Sequence, residues 1–279
     1  MTFSDSSDLA GQTRVKVSHA LDRQLAPLGL RALSCLRPKN GDRVIDIGCG
    51  AGQTCIQMAK AVGSSGSVLG VDISPAMVAA AKRRVEALPS VQILQGDAQT
   101  IPFVSNAFDA LYSRFGVMFF RDPIAAFTNL RRALKADGRM AFVCWRRLED
   151  NDLDTIPLRA ARPVLPTGLT SNLDQADPFS FADPTQVKRM LTDTGFQNIQ
   201  ITPHDEAVGS GDLKSMLELA LNVGPLGKII RENQELRERV SGPVQTALES
   251  CEGPDGILLT AAVWIVTADA QKADADAEN

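Results

Sequence analysis

From residue 43 onward, short apolar runs alternate with longer stretches in which apolar residues recur every three or four positions. Val44 to Ile47, Val68 to Val71, Val91 to Leu94, Phe108 to Tyr112 and Met140 to Trp145 read as five strands. Between them, Ser74-Pro75 and Asp122-Pro123 each place a capping side chain just before a proline at the first helical position. Apolar stripes follow both caps: Val78, Ala81, Val85 and Leu88 after the first, and Phe127, Leu130 and Leu134 after the second. Asp183-Pro184 opens another helix with Val187, Met190 and Leu191 inward and Gly195 at its end. Phe196 to Ile201 and Ile257 to Val266 complete a set of seven strands. Strand and helix alternating at this period predict an α/β fold, a parallel sheet covered on both faces.

Two stretches interrupt the alternation. Residues 147–182 are rich in proline and aspartate, and residues 204–256 are mostly helical in pattern. In the second, Lys228/Glu232, Arg231/Glu235 and Glu235/Arg239 are opposite charges four apart beside a stripe of Ile229, Leu236 and Val240, as on a surface helix. Ahead of the alternation, Val15, Leu21, Leu25, Leu28 and Leu33 suit short amphipathic helices broken near Pro27 and Gly29. The expected organisation is a helical arm or lid over residues 1–36, a domain over 37–269 carrying the two insertions as a cap, and a disordered tail over 270–279. Residues 1–12 are polar and Asp269 to Asn279 are acidic and alanine-rich, so both ends are expected to be loose.

Composition narrows the class without changing that picture. At 279 residues, 44% hydrophobic and 22% charged, the chain is ordinary globular protein, which excludes fibrous and wholly disordered classes. A net charge of -4 lacks the basic excess that phosphate neutralisation demands, so nucleic acid is not an expected partner. Five cysteines with no C-x-x-C pair suggest neither a disulfide framework nor a zinc site, and no metal is expected. The start lacks a basic segment followed by an apolar one, and no apolar run is long enough for a membrane span. A reducing cytoplasm is the expected location.

The informative segment is Val44-Ile45-Asp46-Ile47-Gly48-Cys49-Gly50-Ala51-Gly52-Gln53. A strand feeds three glycines and then a helix, and backbone without Cβ lets a ligand approach the carboxyl edge of a sheet. A dinucleotide fingerprint would place its third glycine at 53, where Gln53 stands, so a nicotinamide dehydrogenase is disfavoured. The second strand ends in Asp72, placed to accept both hydroxyls of a ribose, and the third is followed by Gly96-Asp97-Ala98, whose carboxylate could accept an exocyclic amine. Three acids at the tips of three successive strands form a set.

With Val-Asp-Ile-Ser-Pro-Ala-Met around Asp72 and Ser-Arg-Phe-Gly-Val-Met-Phe-Phe from Ser113, the chain resembles the class I S-adenosylmethionine-dependent methyltransferases. The pattern is nearest to the branch holding the ubiquinone- and menaquinone-biosynthesis-type enzymes. The resemblance covers residues 40–145 closely and implies a Rossmann-like, doubly wound, seven-stranded sheet with the last strand antiparallel, plus helical lid insertions. It implies S-adenosyl-L-methionine as cofactor, with Gly48, Cys49 and Gly50 against its methionine part and Asp46 orienting the ammonium. Asp72 would take the ribose, Ile73 and Met77 would flank the adenine, and Asp97 and Ala98 would meet its amino edge. Ser113 and Phe115 would line the methionine side. The N-terminal arm departs from the pattern: relatives often carry an aromatic residue where this chain has Gln12-Thr13-Arg14-Val15.

A sulfonium methyl is already activated, so the protein has mainly to align the acceptor and exclude water. The sequence points to a small organic acceptor, oxygen being the first acceptor atom considered and carbon or nitrogen remaining open. Residues just after the strands are the candidates to face it: Arg114, Trp145, Arg146, His204 and Asp205. His204 is the expected base, because the only other histidine, His19, lies in the arm; Arg114 is the second catalytic candidate, for an anionic acceptor. Cys49, Cys55 and Cys144 do not suggest thiol chemistry, since Cys49 occupies a tight loop and Cys55 a helix. The alternative function is a cofactor-binding sensor without turnover, and a homodimer is compatible with the sequence.

Overall fold

A computed structural model describes residues 3–170 and 178–270. Two helices come first, α1 (Phe3–Lys16) and α2 (Ser18–Leu36). Then follow β1 (Arg43–Ile47), α3 (Gln53–Val62), β2 (Ser67–Asp72), α4 (Pro75–Val85), β3 (Val91–Gln95), β4 (Phe108–Arg114), α5 (Pro123–Ala133) and β5 (Leu134–Trp145). The remainder is α6 (Asp152–Ala161), α7 (Pro184–Asp193), β6 (Phe196–Val208), α8 (Leu213–Asn222), α9 (Gly224–Glu232), α10 (Leu236–Glu249), a short hairpin β7 (Glu252–Gly253) and β8 (Gly256–Ile257), and β9 (Leu259–Ala270).

Seven strands form one sheet in the order β3-β2-β1-β4-β5-β9-β6, mostly parallel with one antiparallel strand, as the Rossmann-like expectation required. The chain lays β2 and β3 to one side of β1 and β4 to the other, so the switch point falls between β1 and β4. Ligands of open parallel sheets bind beyond the carboxyl ends of the strands at such a point. Both neighbours of β1 pair with it in parallel, Ile47 opposite Val71 and Asp46 opposite Tyr112, which brings the tips of β1, β2 and β4 to one edge.

The caps are formed as the sequence indicated. Ser74 accepts from the Met77 amide, Asp122 from Ala125 and Asp183 from Thr185, each ahead of a proline.

The chain divides into two compact units. One holds Gly29–Cys144, Asp183–Thr202 and Trp264–Asn279, the other Met1–Leu28, Trp145–Ala182 and Pro203–Val263. In the sheet unit Phe127 is fully buried, edge-on to Phe196 with ring centroids 6.2 Å apart and 5.9 Å from Phe142. The helical unit has its own apolar cluster, with Leu158 of α6, Met216 of α8, Ile229 of α9 and Val240 of α10 among its members. Asn151, fully buried at the start of α6, donates to the Arg147 carbonyl at 2.8 Å and accepts from the Ala262 amide at 2.8 Å.

Several expectations are corrected. Residues 3–12, expected to be loose, are helical and belong to α1. The arm is not broken near Pro27 and Gly29: α2 runs through both. Proline deletes one amide donor, but the stripe of Leu25, Leu28, Ala32 and Leu36 is buried along the whole helix and holds it together. Leu134, expected on a helical stripe, instead starts β5. The sixth strand continues to Val208, so His204 and Asp205 lie within it and not after it. The charged stretch is two helices, since α9 ends at Glu232 and α10 begins at Leu236. Arg231 there donates to the Asn222 carbonyl at 2.6 Å, and Arg237 meets Glu218 at 3.0 Å. Asp269, assigned to the loose tail, sits in β9 and accepts from Asn198 at 2.9 Å. Residues 271–279, the rest of the expected tail, lie outside the described residues.

Asn151→Ala removes both of its buried hydrogen bonds and leaves the Ala262 amide unpaired. Chemical denaturation is expected to show about 2 kcal/mol or more of destabilisation, and an unchanged midpoint would contradict the role given to this side chain.

Candidate cofactor site

The site is built on a contact between backbones. Gly48, the first residue after β1, has φ of 69°, and a Cβ there would lie 2.5 Å from the Gly116 Cα in the segment after β4. A Cβ on Gly116 would in turn lie 2.4 Å from the Ile47 carbonyl oxygen. Only glycine at both positions lets the two segments touch. Ser113, fully buried at the end of β4, secures the join by donating to the Ile47 carbonyl at 2.7 Å and accepting from the Gly116 amide at 3.2 Å. Ser113 therefore fastens the two segments and presents no surface. Phe115 between them is held in the left-handed region at φ 58°, a strained setting for a side chain with a Cβ, and is buried.

Asp72 ties this loop to β2. Its carboxylate accepts from the Gly50 amide and from the Ser74 amide, both at 2.9 Å, and it remains half-buried. Gly50, at φ 55°, has nothing within 4 Å of where its Cβ would stand. Beside Asp72, Ile73 is 52% exposed, an apolar side chain left open at the strand tips, while Met77 is buried in the first turn of α4. Asp97 accepts from the backbone and the side-chain amide of Gln99, and the Ala98 carbonyl accepts from Asn129 at 2.9 Å.

Asp46 lies beneath the loop with no accessible surface. Thr54 donates to its Oδ2 at 2.5 Å and the Cys55 thiol at 3.3 Å, while Oδ1 has no partner. Burial pushes its pKa from the ordinary 3.8 up to about 6, against the opposing pull of the Thr54 and Cys55 hydrogen bonds and the Arg114 charge. Arg114 is held by a hydrogen bond from Nη1 to the Gln53 side-chain oxygen. Cys49 and Cys55 are buried, and their sulfurs both face Gly70 of β2. Burial also raises the fully buried Cys144 thiol, so none of the three has the lowered pKa of a reactive cysteine.

The structure thus brings together Asp46, Gly48, Cys49, Gly50, Asp72, Ile73, Met77, Ser113, Arg114 and Phe115 at the tips of β1, β2 and β4, with Asp97 and Ala98 after β3. It does not bring His204 into that set. His204 belongs to the helical unit, on the edge strand of the sheet, with Nε2 3.1 Å from Glu206 Oε2. Arg146 is held by Asp205 at 2.7 Å and Asp150 at 3.2 Å, and Trp145 is buried. Sequence reasoning gave no role to Gly116, Gln53, Thr54, Gln99 or Asn129. The signal for Gly116 was present, a glycine just past a strand tip; the others act through contacts that spacing does not encode. A hollow of about 770 Å³ edged by Lys188, Thr192 and Asn198 opens on β6, four strands from β1, and has none of this chemistry.

An orphaned buried carboxylate oxygen under the loop, an open glycine face and a partly exposed carboxylate at the tip of β2 fit a ligand with a ribose and a positive charge. Comparison with known proteins agrees. Residues 44–138 match the family described as "Methyltransferase domain", and this match, the similar proteins and the fold support a class I S-adenosylmethionine-dependent methyltransferase, an enzyme whose cofactor is S-adenosyl-L-methionine. It is 29% identical over 184 residues to the demethylmenaquinone methyltransferase of Staphylococcus saprophyticus, covering 61% of this chain and 77% of that one. In fold it is similar to Haemonchus contortus phosphoethanolamine N-methyltransferase 2, solved with S-adenosyl-L-methionine, at TM-score 0.56 and 21% identity over 88% of this chain. The chain spans about half of that enzyme, 53% of its length. It is also similar to the YcgJ protein of Bacillus subtilis, at TM-score 0.54 and 18% identity, covering 88% of this chain and 98% of that one.

The raised pKa of Asp46 has a signed consequence. Between the ordinary 3.8 and about 6 the folded protein holds a proton that the unfolded chain releases, so this group lowers stability as pH rises through that window, by about 3 kcal/mol in all. Asp46→Asn should remove that slope from the stability of the ligand-free protein between pH 4 and 6. An identical slope in the variant would place the buried charge elsewhere.

Proposed function

We propose that this enzyme transfers the cofactor methyl to a small organic acceptor by in-line displacement, with the residues at the β1, β2 and β4 tips holding the cofactor. The observation that carries the assignment is Asp72: its carboxylate fixes the Gly50 loop and stays partly exposed at the tip of β2, where a pair of ribose hydroxyls would meet it. Gly48, Cys49 and Gly50 take the methionine part, and the unpaired oxygen of Asp46 supplies the negative field for its ammonium. Ile73 and Met77 flank the adenine, Asp97 and Ala98 face its amino edge, and Phe115 closes the methionine side, with Ser113 acting through the position of Gly116. Arg114, held by Gln53, acts by offsetting the charge on Asp46.

The cofactor, when bound, supplies an activated methyl. The chain's part is to orient the acceptor behind it and exclude water, an alignment effect of roughly 7–11 kcal/mol in well-ordered systems. Oxygen is the acceptor atom first proposed; carbon is the second reading, favoured by the similarity to a protein named as a demethylmenaquinone methyltransferase. The helical unit, whose bounds include residues 147–182 and 204–256, is proposed to recognise the acceptor. His204, hydrogen-bonded to Glu206, would serve as base only for an acceptor that must lose a proton. None of the five cysteines is in a disulfide, which supports the proposed cytoplasmic setting, and no described helix is long and apolar enough to cross a membrane.

Calorimetry with S-adenosylhomocysteine tests the cofactor assignment. Asp72→Asn should weaken binding by about 1.5–3 kcal/mol, and the 2′-deoxy analogue should lose less on that substitution than the parent compound does. Equal affinity of the variant and the unmodified protein for S-adenosylhomocysteine would overturn the role of Asp72. Mass spectrometry of a metabolite mixture incubated with methyl-labelled cofactor then identifies the acceptor.

A further inference from the structure

The carboxylate proposed to face the purine is carried on a turn whose backbone is already fixed. Asp97 follows β3, and the Gly96 amide just before it donates to the Asp72 carbonyl at 3.0 Å, which joins the turn to the tip of β2. The Thr100 and Ile101 amides close the turn by donating to the Asp97 carbonyl at 3.0 and 2.9 Å. These bonds place the residue, but they do not set the direction in which its carboxylate points.

Gln99 supplies that direction. Its backbone amide donates to Asp97 Oδ1 at 2.9 Å, and its Nε2 lies 3.0 Å from Oδ1 and 2.8 Å from Oδ2. A donor at nearly equal distance from both oxygens approaches along the axis that bisects the carboxylate. Gln99 is itself held from the other side, because its Oε1 accepts from the amide of Asp122, the cap of α5, at 2.7 Å. A backbone N–H can only donate, so it fixes the carbonyl end of the Gln99 amide and turns the NH2 end to Asp97. The position therefore calls for a side chain that accepts on one side, donates on the other and reaches both. Both Asp97 and Gln99 stay half-buried.

Helix α5 grips the same loop at a second point. Asn129 donates to the Ala98 and Ile101 carbonyls, both at 2.9 Å, and so fastens backbone without a bond to the Asp97 carboxylate. The two contacts divide the work: Asn129 places the loop, and Gln99 aims the acid. Among the described residues Oδ1 accepts from two donors and Oδ2 from one, so Oδ2 is the oxygen turned towards a further partner. A carboxylate held in advance loses less freedom when a ligand arrives, and its hydrogen bond to that ligand is correspondingly more selective.

We propose that Gln99 is a positioning residue for the purine: by aiming Asp97 Oδ2 it makes the site select a base that carries a 6-amino group. This rests on the reading of the site as one for an adenosyl cofactor and deepens it, because it names what enforces the choice of base.

The test is calorimetry on the full chain with two ligands, S-adenosylhomocysteine and its analogue in which unsubstituted purine replaces adenine. The unmodified protein should prefer the adenine compound by at least roughly tenfold. Gln99→Met keeps the length of the side chain and loses both hydrogen-bonding ends; it should cut the preference to about twofold by weakening the adenine compound alone. Should that variant fail to fold, Gln99→Asn, polar but too short to span both contacts, carries the same expectation. Asp97→Ala should abolish the preference, and adding Gln99→Met to it should change nothing further, since Gln99 acts through Asp97. Asn129→Ala should weaken both ligands by the same factor and leave the preference intact. A preference retained in Gln99→Met, or an equal loss for both ligands, would overturn the inference while leaving Asp97 its role. Absence of a preference in the unmodified protein, or in Asp97→Ala a preference unchanged, would overturn the assignment of Asp97 to the purine and the inference with it. Binding of neither ligand would overturn the methyltransferase reading itself.

Discussion

The site depends on two backbones being allowed to touch. Where β1 and β4 end, Gly48 and Gly116 approach so closely that neither can carry a Cβ, and Ser113 joins the two segments with hydrogen bonds to both. The residues proposed to face the cofactor are placed relative to that join. The Gly50 loop is drawn to β2 by the Asp72 carboxylate, which leaves an open face at Gly50. The strain recorded at Phe115 is a consequence, since the chain must turn between a fully buried serine and a glycine pressed against its neighbour.

The electrostatics follow from the same packing. With the loop closed over it, Asp46 has no water to solvate it, and hydrogen bonds from Thr54 and Cys55 satisfy only one of its oxygens. A carboxylate kept in this state is costly to an empty protein and useful to one that binds a cation-bearing ligand, because a nearby positive charge relieves the cost on binding. If Asp46 faces the cofactor ammonium as proposed, the stability given up in the ligand-free fold returns as cofactor affinity.

Much of this was legible in the chain itself. The three capped helices were readable because serine or aspartate before proline has a local, steric meaning that tertiary packing rarely overrides. The cofactor loop was readable because glycines spaced in this way after a strand mark a place where a ligand must come close to backbone. What escaped was non-local or a matter of extent. Pro27 inside α2 looked like a break, and only the burial of one face along the whole helix shows why it is not. The length of β6, which places His204 within a strand, depends on pairing at the sheet edge that a largely polar segment does not advertise. The pair of Arg146 with Asp205 spans 59 residues and leaves no periodic trace.

The sequence by itself determined the class of fold, the order of strand and helix, the glycine loop and the acids at the strand tips, because each is written in local backbone preference and burial pattern. Only the tertiary structure decided what those residues do for one another: that Ser113 is a fastener, that Asp72 is already half engaged, that Asp46 lacks a partner for one oxygen and that Gln53 holds Arg114. Such roles arise from distances between segments far apart in the chain, and a distance of that kind exists only once the hydrophobic effect has closed the fold.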